Sequence, residues 1–197
     1  DFVEELKRKN YAPTKNTIHE WMKTASFAFS AAASNYSLPA CICCYFKNLH
    51  HSARDFSRAI ILKERNEIVE GDVMVVDGLK TLYPELIEDY NFLIDGRRKY
   101  QSFEPKYVKT VRIEENELGK FLLRGENFAI KAYEVVLDLK LPKINNLISE
   151  LESKHKIDHY HGFWLSPEKR QLTISLVLEG DKMFNFVYDL EEQEWKI

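Results

Sequence analysis

Glycine and proline are scarce in this chain, seven and six among 197 residues. Few chain breakers favour long helices over a turn-rich β-sandwich. Cysteine is scarcer still, at three. Three thiols cannot all pair within one chain, and Cys43 and Cys44 are adjacent. No disulfide framework is expected, and a reducing, cytoplasmic setting is. No apolar run approaches the roughly 18 to 20 residues that a membrane-spanning helix needs. The longest quiet stretch, ASFAFSAAASNYSLPACICCYF, is interrupted by Ser, Asn and Pro39. Membrane contact is therefore not expected, and the start of the sequence shows no charged-then-apolar secretory pattern. An excess of either charge is also absent: 28 basic against 31 acidic residues leave a net charge of -3. A dedicated nucleic-acid binder normally carries a strong basic surplus. The P-loop, GxGxxG and GxSxG patterns are missing, and HEWMK at residues 19–23 lacks the second histidine of a zinc-protease helix. No cofactor is expected.

What is present is material for a core. A hydrophobic fraction of 45% and an aromatic fraction of 13% rule out disorder, and the length suits one domain. DFVEELKRK reads as a short amphipathic helix. In TIHEWMKTASFAFSAAASNY, Ile18, Trp21, Met22, Ala25, Ala28, Phe29, Ala32 and Ala33 recur at three- and four-residue spacing, with Thr17 and Glu20 as a capping box. A helix follows Pro39 and runs to about Arg65. Residues 68–81 suit either a helix or a strand. The next helix starts at Pro84 and stops at Gly96. Residues 115–156 read as three short helices broken at Gly125 and Pro142. From Gly162 the period changes to two: Leu172, Ile174, Leu176 and Leu178, then Phe184, Phe186 and Tyr188, alternate with more polar neighbours. The expected fold is α+β: a helical body of about six to eight helices over residues 1–161, and a three- to four-stranded antiparallel β-meander over 162–197, packed together as one domain.

Three stretches carry residue types suited to chemistry. Residues 38–63, LPACICCYFKNLHHSARDFSRAIILK, hold all three cysteines and a double histidine. On a helical wheel Ile42, Tyr45, Phe46, Leu49, Ala53, Phe56 and Ile60 form one apolar stripe. Cys41, Cys43 and Cys44 scatter around the axis, and His50 and His51 point about 100° apart. Cys44 and His51 share a face but lie about 10 Å apart along it, too far for one zinc ion or a thiolate–imidazole pair. The stretch reads as architecture, with His51 and Asp55 as a flank contact.

Residues 153–163, SKHKIDHYHGF, bring His155, Asp158, His159 and His161 to a helix-to-strand joint. They are the best metal candidates in the chain, yet their spacing matches no known site. Histidines at a helix C-terminus also serve the dipole, so no metal is expected. Residues 97–112 carry Arg97, Arg98, Lys99, Lys106, Lys109 and Arg112, with Tyr100 and Tyr107 between them. Interleaved basic and aromatic side chains suit docking to an acidic protein surface, and more weakly suit nucleic acid. The expected function is a non-catalytic macromolecule-binding protein, of the kind that inhibits or gives immunity to a toxin or enzyme. Its expected partner is another protein with an acidic surface, and its oligomeric state is left open. The alternatives are a metal-dependent hydrolase using His155, His159 and His161, and a nucleic-acid accessory protein using residues 97–112.

Overall fold

A computed structural model describes residues 15–37, 42–101 and 115–196. Among them are six α-helices: α1 (Lys15–Ser37), α2 (Ile42–Arg65), α3 (Gly71–Leu82), α4 (Ile87–Gln101), α5 (Glu115–Leu137) and α6 (Ile144–Lys154). A 3-10 turn, Pro84–Leu86, leads into α4. Four strands follow, β1 (Ile157–Ser166), β2 (Gln171–Leu178), β3 (Lys182–Asp189) and β4 (Glu194–Lys196). They pair in sequence order, each antiparallel to the next. This is the α+β fold with a C-terminal meander. The helix expected over residues 1–9 lies outside the described residues. Within them, no helix is long and apolar enough to cross a membrane.

The apolar stripe of α2 becomes the centre of the core. Tyr45, Phe46, Leu49, Ala53, Phe56 and Ile60 are all buried, and α2 packs against α1, α3, α4 and α5. Two buried serines on this helix, Ser52 and Ser57, donate back to the carbonyls of Leu49 and Ala53, so their hydroxyls stay satisfied inside the core. In α1, Met22, Ala25, Phe29, Ala32 and Ala33 are buried. Their small members let α2 approach closely.

Several boundaries differ from the sequence reading. α1 is already helical at Lys15, so Thr17 lies inside the helix and the Thr17/Glu20 pair is not its N-cap. The ambiguous segment is a helix, α3, reached through an extended linker that begins at Asn66 in the left-handed region. Gly96 does not stop α4, which runs on to Gln101. A Cβ at Gly96 would stand 2.3 Å from Cε1 of Phe121, so the glycine is a point of close helix approach and not a terminator. Gly125 likewise lies inside an unbroken α5, close to Leu49. Residues 115–154 are thus two helices, with the break where Asp138 turns left-handed, ahead of Pro142.

The meander begins five residues before Gly162, at Ile157, and takes His159 and His161 into β1. Phe163↔Ile174↔Phe186 and Leu165↔Leu172↔Tyr188 align across the sheet and form its inner face. The β2–β3 turn uses left-handed Gly180 and Asp181, as a short hairpin loop requires. The free edge of β1 lies along α1. There the buried Ser30 hydroxyl accepts the Leu165 N–H at 2.9 Å, and the Phe29 and Phe163 rings pack 5.2 Å apart. A helix laid over an edge strand blocks strand addition by other chains.

Candidate functional site

The strongest polar constellation sits where α3 and α4 close on α2. His50 is only 1% exposed. Its Nε2 lies 2.8 Å from Oδ1 of Asp72, and its Nδ1 lies 2.6 Å from Nη1 of Arg97. The Tyr90 hydroxyl donates to the same Asp72 oxygen at 2.9 Å. An arginine side chain only donates, so Nδ1 must accept from Arg97, and the ring proton sits on Nε2 facing Asp72. His50 is therefore a neutral imidazole in one tautomer.

The electrostatics agree with this assignment. Burial lowers the His50 pKa, and the charges of Arg97 and Arg54 lower it further against the pull of Asp72. Burial pushes Asp72 up, but the His50 ring and the Tyr90 hydroxyl outweigh it and hold its carboxyl below the usual range. Burial and the neighbouring Asp72 raise the Tyr90 phenol. Next to this group, burial together with Arg54 and Arg97 brings His51 down to about 4. A catalytic base needs a nitrogen within hydrogen-bond reach of substrate, and both His50 nitrogens are already committed. The constellation ties α2, α3 and α4 together.

The helical wheel places His50 away from the apolar stripe, which misses its burial. The partners come from 22 and 47 residues further along the chain and cover that side. Asp55 turns to Arg54 and Arg58, each at 3.4 Å, and does not hydrogen-bond to His51. Cys44 is in a disulfide bond, contrary to the expectation from the cysteine count, whereas Cys43 keeps its thiol. Cys41 lies outside the described residues.

The histidines near β1 do not gather. His155 packs on the Phe186 ring at 5.1 Å, while His159 pairs with the exposed Asp158 at 2.9 Å. Among the described residues, no three His, Cys, Asp or Glu side chains are grouped to hold a metal ion. In the basic stretch, Arg97 points inward to His50. Tyr100 is buried, stacked on Phe46 at 4.3 Å with its hydroxyl on Glu117. Arg98 and Lys99 are exposed. Lys106, Tyr107, Lys109 and Arg112 lie outside the described residues.

A second feature is an aromatic cleft between α1 and the β1–β2 hairpin. Phe27 is 58% exposed and Trp164 47%, with their rings edge to face, centroids 5.4 Å apart. The cleft has a volume of about 330 Å³ and is closed by Leu165, Pro167 and the ion pair of Lys23 with Glu168 at 3.0 Å. The sequence carried the signal for both rings. Phe27 falls off the buried stripe of α1, and Trp164 alternates outward between the buried Phe163 and Leu165. No protein-family model matches the chain, and no curated protein matches it.

Proposed function

We propose that this chain is a non-catalytic protein-binding module that docks a partner through the Phe27–Trp164 cleft. The observation that carries this reading is the pair itself: two large aromatic rings left half exposed, in contact, at the mouth of a cleft. Exposed aromatic side chains in such settings act as interface anchors, because they bury a large area at small entropic cost. The cleft rim carries both signs of charge in Lys23, Glu20 and Glu168. It therefore favours a partner side chain that is apolar, with charge serving mainly for alignment. An inhibitor or immunity-type partner of a toxin or enzyme is the specific form we favour. The closed His50 group supports the non-catalytic half of the reading.

An acidic partner is a second reading, favoured by the exposed Arg98 and Lys99 at the end of α4. The two surfaces separate by mutation. A partner captured from cells is purified and its affinity measured against variants. Phe27→Ala and Trp164→Ala should each weaken binding by about 30-fold, the scale of an interface hot spot, without changing the melting temperature. Arg98→Ala with Lys99→Ala should leave affinity within about twofold. The reverse pattern would favour the acidic-partner reading, and turnover of any captured molecule would refute a binding-only role. A cytoplasmic location belongs to the same proposal. Thiol trapping in cells tests it, because the Cys44 disulfide should be absent there if the compartment is reducing.

A further inference from the structure

Besides the aromatic cleft there is a smaller pocket, of about 190 Å³. Phe29, Leu122, Ile148 and Phe163 give it apolar walls, and Glu126 and Tyr160 line it together with Leu123, Ile144 and Asn145. Pockets of this kind hold molecules of benzene size. The unusual member is Glu126, which is only 4% exposed. Its Oε1 accepts the backbone N–H of Ile144 at 2.7 Å, which supplies a cap for the first turn of α6. A neutral glutamine would cap equally well, so capping does not account for a carboxylate. Among the described residues Oε2 accepts no hydrogen bond, and no cation lies within ion-pair distance of it. Burying a carboxylate without a counter-charge is costly, so the second oxygen has a large unused capacity for a positive group.

We propose that this pocket is a binding site for a small apolar primary amine, its ring or branched chain among Phe29, Leu122, Ile148 and Phe163 and its ammonium on Oε2 of Glu126. Phe29 and Phe163 serve both halves of such a ligand, since their faces attract a cation as well as hydrocarbon. Burial raises the Glu126 pKa against the Ile144 N–H and the charge of Lys143, as expected for a carboxylate lacking a full partner. The site is separate from the cleft, and its existence does not depend on protein binding there.

The test uses benzylamine and its neutral isostere benzyl alcohol at neutral pH, followed by amide chemical shifts on the whole chain. Benzylamine should shift the amides of Glu126, Ile144, Ile148 and Phe163 saturably, and benzyl alcohol should bind about tenfold more weakly. Glu126→Gln keeps a carbonyl for the Ile144 cap and should bring benzylamine down to the affinity of the alcohol. Equal affinity of the two probes, absence of saturable binding, or unchanged amine preference in Glu126→Gln overturns the proposal. If Glu126→Gln does not fold, Ile148→Phe decides, because it fills the cavity and leaves the carboxylate. Loss of the benzylamine shifts supports the site, and their persistence overturns it.

Discussion

Replacing His50 with alanine should lower the unfolding free energy by about 3 kcal/mol in chemical denaturation. The ring is sealed between α2, α3 and α4, and it joins Asp72 to Arg97. Removing it takes one hydrogen bond each from the Asp72 carboxylate and the Arg97 guanidinium within a buried polar network, and breaking such a network by taking out one member costs about 3 to 5 kcal/mol. Asp72 keeps the Tyr90 hydrogen bond and some contact with solvent, which places the loss at the lower end. The same substitution should reduce the acid sensitivity of the fold. Both His50 and His51 have pKa values depressed below the ordinary 6.5. The unfolded chain then takes up protons first as pH falls. Stability is complete above pH 6.5 and declines toward pH 4, the folded value of His51. Without His50 the slope over this range should shrink, leaving the part due to His51. An unchanged slope would show that His50 is already charged in the fold.

Phe46→Ala should be at least as damaging, at about 4 kcal/mol. Phe46 is buried and its ring stacks on Tyr100 at 4.3 Å, with Phe121 and Tyr45 edge-on at 4.7 and 5.3 Å. Truncating a buried phenylalanine costs about 3 to 5 kcal/mol through lost transfer energy and the cavity left behind. Collapse is restricted here, because three other rings wall the site and Phe121 already abuts Gly96 with no room for a side chain between them. A loss below about 2 kcal/mol would mean that Tyr100 and Phe121 refill the space. That result would place the aromatic cluster outside the rigid core.

Periodic features were legible in the sequence. The stripe from Ile42 to Ile60 and the alternation from Leu172 to Tyr188 each follow from the spacing of one element's own side chains. The helix and the strands they predict are present. Features that depend on neighbours were not legible. Gly96 looks like a helix stop from its own residue type, and only Phe121 on the facing helix shows why the position is a glycine. His50 looks solvent-facing on a helical wheel because the wheel does not include α3 and α4, which pack there. Tyr100 looks like a surface anchor within a basic run, yet it fills the space over Phe46. Asp72 and Tyr90 carry no signal, since their spacing to His50 matches no local pattern. Phe27 and Trp164 differ from these cases. Each breaks the burial rhythm of its own element, and an exception of that kind can be read from residue spacing alone.

The non-catalytic half of the proposed function is supported by His50 being a closed, neutral strut. Nitrogen-15 NMR of the imidazole at pH 6.5 tests this most directly, since an exposed histidine is then about half protonated. The structure predicts a neutral ring with its proton on Nε2, unprotonated Nδ1, and no change on adding small-molecule bases or acids at constant pH. An imidazolium signal at that pH, or a proton on Nδ1, would contradict the account and reopen His50 as a site of chemistry.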